Sequence, residues 1–160
     1  RAEPVMPTDP LSGGFYPDAY QDTDPIIEDY ASALGHIIIS FNALEAALLV
    51  LARKLWPDHQ LEQITRQFGR RSMDERLSMM AQQIGASAVP RNRHDDLDRL
   101  LGEIRRLTEQ RNAAIHAKHD FYVRSESGKA MIVDDDLLAR LWELSANLDQ
   151  ARDRVAMLCA

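Results

Sequence analysis

Asp24-Pro25 and Trp56-Pro57 bracket the feature that most constrains this chain, a single apolar helix of roughly thirty residues. Asp24 is an N-cap type, Pro25 suits the first helical position, and Glu28 and Asp29 place negative charge in the opening turns. The spacing predicts a helix to about Leu55, longer than most globular helices and suited to a bundle or a dimer interface. At 100° per residue, Ile27, Tyr30, Leu34, Ile37, Ile38, Phe41, Leu44, Leu48, Leu49, Ala52 and Leu55 share one face. Glu45 points into that face, near the direction of Ile27, and Asn42 sits on its shoulder.

Four further segments follow. Residues 58–69 read as a short helix or irregular segment anchored by Leu61, Ile64 and Phe68 and stopped by Gly69. Ser72 caps a helix over Met73–Ile84, with Asp74 and Glu75 in its first turn and Gly85 at its end. Another helix starts near Asp95 and places Leu97, Leu100, Leu101, Ile104, Leu107, Thr108 and Ile115 on one face, to about Ala117. The period then changes. Phe121-Tyr-Val and Lys129-Ala-Met-Ile-Val flank Arg124-Ser-Glu-Ser-Gly128 and predict a β-hairpin. Asp134 caps a last helix, about 135–158, striped by Leu137, Leu141, Leu144, Leu148, Ala151, Val155 and Leu158. The expected fold is all-α: a bundle of four to five helices with a small β-hairpin inserted before the last. One domain is expected over residues 25–160, because 160 residues supply one sizeable core and not two. Residues 1–24, with five acidic residues and four prolines, are expected to form a flexible arm.

Composition narrows the function classes. The chain is 45% hydrophobic and 28% charged with a net charge of −6, so no global basic field advertises nucleic acid. The charge is uneven: residues 1–49 hold one basic and eight acidic side chains, and residues 50–120 hold thirteen basic and ten acidic. A lone cysteine, Cys159, excludes an internal disulfide and suits a reducing compartment, with cytoplasm as the default. No membrane association is expected, because Asn42, Glu45, Arg53 and Lys54 interrupt the longest apolar segments. No signal-peptide pattern is seen; the chain begins at Arg1 rather than Met, which leaves room for an upstream segment. There is no Gly-rich phosphate loop, and the five histidines are scattered, so no cofactor and no metal are expected.

The charged residue that breaks the pattern is Arg111. It falls in the middle of its helix's apolar face, between the directions of Ile104 and Leu107, with Asn112 and His116 together on the shoulder. A guanidinium aimed at a core has to be paired or to line a cleft. Glu45 is the opposite charge in the opposite stripe, so the expectation is that Glu45 and Arg111 meet in a two-pronged pair. Such a pair would either fix helix register or hold Arg111 beside a polar pocket. Histidine moves protons near neutrality, and a guanidinium stabilises charge building on a phosphoryl group. With Asn112 to orient a partner, the set would support metal-free attack of a ribose 2′-hydroxyl on the adjacent phosphodiester.

Arg111-Asn112-x-x-x-His116 resembles the RxxxxH motif of HEPN domains, in the form with a polar residue after the arginine. Phe41-Asn-Ala-Leu-Glu-Ala-Ala-Leu48 is similar to the first helix of many members, which bears an acidic residue, and the leucine-striped final helix agrees. The resemblance covers about residues 25–158. It implies a homodimeric helical bundle with motif helices facing across a cleft, acting as a metal-independent endoribonuclease in toxin–antitoxin, abortive-infection or other defence systems. It also implies that Arg111 and His116 are catalytic and that Asn112 assists. Glu45 is the supporting residue on the phase argument, and Arg70, Arg71, Arg105, Arg106 and Lys118 are candidates for holding RNA. An antitoxin or regulatory protein would be the partner. Other HEPN proteins bind RNA or nucleotides or act as inactive scaffolds. The alternative is therefore a non-catalytic dimerisation or RNA/nucleotide-binding module in which Arg111 and Glu45 are structural.

Overall fold

A computed structural model describes residues 25–87, 89–126 and 135–159, and the arm at 1–24 lies outside them. The described residues form five α-helices: α1 (Pro25–Leu55), α2 (Leu61–Gly69), α3 (Met73–Gln83), α4 (His94–Glu126) and α5 (Asp135–Cys159). Short 3₁₀ turns at Ile84–Ala86 and Arg91–Arg93 join α3 to α4. The all-α expectation holds, and helix starts fall where cap chemistry puts them. Before α3, Ser72 Oγ accepts from the Glu75 N–H, while the Ser72 N–H donates to the Glu75 carboxylate at 2.7 Å. That bond, with a second from the Ser72 hydroxyl, holds the Glu75 carboxyl below its ordinary pKa.

The expected hairpin is corrected in its first half. Phe121-Tyr-Val is helical, because α4 runs on to Glu126 with no proline or glycine to stop it before Gly128. The second expected strand, 129–133, lies outside the described residues. Among the described residues there is no strand.

α1 is the axle of the bundle, packed against α2, α3, α4 and α5. Its pairing with α5 is parallel: His36 meets Trp142, with ring centroids 5.0 Å apart, and four residues on Ser40 meets Ser145. α4 runs antiparallel to both, since Glu103 pairs with Arg154 late in α5 and Arg111 lies over Phe41 midway along α1. The core lies between them. Ile37, Leu44, Leu51 and Leu55 of α1 are fully buried, as are Leu97, Leu100, Ile104 and Leu107 of α4 and Leu148 of α5.

The buried face of α1 is rotated from the expected one. Ala33, Ser40 and Leu51 are inside, while Ile38 is 43% exposed. The rotation follows α5, which claims the Ser40 side through a buried contact between the two hydroxyls at 3.3 Å. α1 is apolar nearly all round, so its pattern has no sharp edge. By length and composition alone, Glu28–Leu55 would suffice to cross a membrane.

The serine pair makes a stability prediction. Ser40→Ala or Ser145→Ala leaves one buried hydroxyl without its partner and should cost about 1–3 kcal/mol in urea unfolding. The double variant should cost less than the two singles together. Strict additivity would show that the two hydroxyls are not coupled.

Candidate functional site

Arg111 sits on the core-facing side of α4, and the helix carries it onto α1. Its guanidinium carbon lies 4.6 Å from the centroid of the Phe41 ring. Nη1 donates to the Asn112 side-chain oxygen at 3.0 Å. Nε is buried and has no hydrogen-bond partner among the described residues. An aromatic face attracts a guanidinium through its quadrupole, by about 0.5–2 kcal/mol depending on desolvation. The arginine in the apolar stripe is thus accommodated by a ring, and no carboxylate among the described residues neutralises it.

The expected Glu45–Arg111 pair is not formed. Glu45 Oε1 instead accepts from Arg76 Nη1 of α3 at 2.7 Å, in a seat lined by Leu48, Phe68, Met73 and Met80. Arg76 also donates through Nε to the Arg71 carbonyl at 3.0 Å. The reason is position along the helices: Arg111 meets α1 one turn before Glu45, at Phe41, and α3 fills the space beside Glu45. The signal for Arg76 was present, since it is three residues from Met73 and four from Met80, on the α3 face that carries both. Phe41 had the same visibility on the apolar face of α1, but a charge in a stripe draws attention first to an opposite charge.

Asn112 and His116 are exposed, one turn apart on one flank of α4. His116 projects about 140° round the helix from Arg111, so one chain does not close these groups around a single substrate atom. Of the basic residues expected to hold RNA, Arg105 is on the Asn112 flank two turns earlier, about 10 Å along the axis. Its charge is committed, because Nε donates to Asp74 and Nη2 to the Ser78 hydroxyl at 2.9 Å. Arg70 and Arg71 are exposed in the turn that enters α3. Arg106 is exposed but lies about 120° round α4 from Asn112, away from the motif flank. Lys118 belongs to α4, and its side chain lies outside the description.

Other chemistry has little footing among the described residues. No cluster of three or more His, Cys, Asp or Glu could hold a metal. Burial raises the pKa of the Cys159 thiol, which keeps it protonated and inert near neutrality. A cleft of about 770 Å³ at the C-terminal end of α1, lined by Arg53, Lys54, His59 and Arg93 among others, contains none of the motif residues. No protein-family model, curated protein or solved structure matches the chain.

The two seats can be ranked by stability. Phe41→Leu should cost about 1–3 kcal/mol, from lost ring packing and the guanidinium's lost attraction. Glu45→Ala should cost only about 0.2–1 kcal/mol, because the Glu45 and Arg76 side chains are 35% and 23% exposed. Chemical denaturation of both variants checks the order. A larger loss for Glu45→Ala would mean that the carboxylate, and not the ring, supports this part of the bundle.

Proposed function

We propose that this chain is a metal-independent endoribonuclease of HEPN type, acting as a homodimer whose composite cleft takes Arg111, Asn112 and His116 from both copies. The observation that carries the reading is the state of Arg111: a guanidinium held on Phe41 and Asn112, with no carboxylate partner among the described residues, five residues along α4 from an exposed imidazole. A guanidinium seated by a ring keeps its positive charge for an anion, and a phosphodiester supplies one. The wide angle between Arg111 and His116 leaves room for a second chain to complete the site.

In this mechanism His116 takes the proton from a ribose 2′-hydroxyl, whose oxygen attacks the adjacent phosphorus. Arg111 stabilises the charge on the pentacoordinate phosphorane. The P–O5′ bond breaks, and the leaving 5′-oxygen takes a proton from the imidazolium of the partner's His116 or from water. Asn112 keeps the guanidinium in plane through its side-chain oxygen. Glu45 acts one step back, holding Arg76 and the start of α3 beside α1. The biological setting that goes with this chemistry is a toxin–antitoxin or phage-defence system in the cytoplasm, with an antitoxin or regulatory protein as partner.

The alternative is a non-catalytic dimerisation or RNA/nucleotide-binding module. The exposure of His116, with no hydrogen-bond partner among the described residues to orient it, favours that reading.

RNA cleavage in excess EDTA separates the two. Arg111→Ala and His116→Ala should each abolish cleavage while leaving helix content and dimer mass unchanged. Undiminished cleavage by both variants would remove these residues from the chemistry.

A further inference from the structure

Three cationic side chains and an imidazole meet at the cleft of about 770 Å³ where α1 ends. Arg53 and Lys54 come from the last turn of α1, His59 from the turn that follows, and Arg93 from the 3₁₀ turn before α4. None of these side chains has a hydrogen bond or a carboxylate partner among the described residues. No Asp or Glu is among the residues that line the cleft. We infer that it binds the clustered phosphates of a small ligand, a di- or triphosphate group recognised by its charge.

Helix stability accounts for only part of this charge. Arg53 and Lys54 complement the carbonyl end of α1, where cations are favourable. Arg93 has the opposite setting, immediately before His94 at the start of α4, where the helix dipole disfavours a cation and favours an anion. The carboxylates closest in sequence do not neutralise it. Asp96 lies in the neighbouring hollow and is paired with Arg99 at 3.2 Å, and Asp58 and Asp95 are exposed and outside the lining. The cleft is also fixed in shape. The His94 ring donates from Nε2 to the Val89 carbonyl at 2.8 Å, and the Ser87 hydroxyl donates to the Ile84 carbonyl at 2.7 Å. Gln83 Nε2 donates to the Leu55 carbonyl at 3.2 Å and ties α3 to the end of α1. A site set before its ligand arrives loses little to ordering.

The donor set selects the ligand. A guanidinium fork takes two oxygens of a carboxylate or phosphate at once. Two forks from separate elements, with an ammonium and an imidazole beside them, exceed what the single oxygen pair of a carboxylate satisfies. Adjacent phosphates present several oxygens and two or more negative charges in one compact group. The rest of the lining is aliphatic, with Val50, Val89, Pro90 and Leu158, and it includes no Phe, Tyr, Trp, Asn or Gln to stack on or read a base. The phosphate group is therefore the part that is recognised, and its carrier packs on an aliphatic floor. The volume falls within the roughly 300–1,000 Å³ usual for small-molecule sites. Arg111 is about 25 Å along α4 from this end, so the site is separate from the motif and does not rest on the ribonuclease reading.

Calorimetric titration of the 160-residue chain with sodium tripolyphosphate, in EDTA and low salt, tests the inference. Wild type should bind one tripolyphosphate per chain, and Arg53→Gln with Arg93→Gln should weaken binding at least about tenfold. Arg70→Gln with Arg71→Gln removes the same formal charge from the turn before α3 and should weaken it less than about threefold. All four arginines are exposed, so helix content by circular dichroism should not change. ATP should bind no more tightly than tripolyphosphate, and RNA cleavage by the Arg53→Gln, Arg93→Gln variant should match wild type. No binding of tripolyphosphate, or equal weakening by the two double variants, overturns the inference. So does a clear preference for ATP, which would mean that a base is read. Binding to phosphatidylglycerol vesicles without binding to tripolyphosphate would make the occupant a lipid surface. Loss of RNA cleavage in the Arg53→Gln, Arg93→Gln variant would assign the cleft to the RNA path. Either result also removes the small ligand.

Discussion

Burial of one face of α1 is the constraint that every other helix satisfies. α5 lies parallel to it, joined at Ser40–Ser145 and His36–Trp142, and α4 returns antiparallel to both. α3, tied by Arg76 to Glu45 and by Asp74 to Arg105, wedges between α1 and α4. α1 carries more apolar surface than the other described helices cover. The part left over includes Ile38, Ile39 and Val50, the three most prominent exposures on α1.

The same axle decides what happens to the arginine in the core stripe. Arg111 is delivered to α1 at the level of Phe41, and a ring can take a guanidinium without neutralising it. A carboxylate in that place would have produced a closed ion pair, stable as structure and quiet as chemistry. Glu45 is one turn away and engaged with Arg76. The result is a cation with a buried Nε that lacks a partner among the described residues, beside an amide that orients it. An unsatisfied donor costs about 1–3 kcal/mol, and such a cost is more readily understood at a functional residue than at a packing one.

Much of this fold was legible in the sequence because its boundaries are written in cap and breaker residues. Pro25, Trp56-Pro57, Ser72 with Glu75, and Gly69 stand where helices begin and end. The leucine stripe of α5 also read correctly, with Leu141, Leu144, Leu148, Ala151 and Val155 buried. Two further expectations failed for different reasons. The hairpin expectation took Phe121-Tyr-Val for a strand, when the absence of any breaker before Gly128 allowed α4 to continue. The Glu45–Arg111 expectation matched charge to charge across two helices, without the height at which they cross or the third helix that supplies Arg76. The motif itself, Arg111 with Asn112 and His116, is legible only as spacing; its seat on Phe41 needed the packing of α4 on α1.

The central claim is that Arg111, seated on an aromatic ring and left charged, serves a phosphodiester. End-group analysis of RNA incubated with the 160-residue chain in excess EDTA addresses it most directly. Attack by the ribose 2′-hydroxyl must leave a 2′,3′-cyclic phosphate on one fragment and a 5′-hydroxyl on the other, and these are the ends the account predicts. Fragments with 3′-hydroxyl and 5′-phosphate ends that appear only when a divalent metal is restored would contradict it.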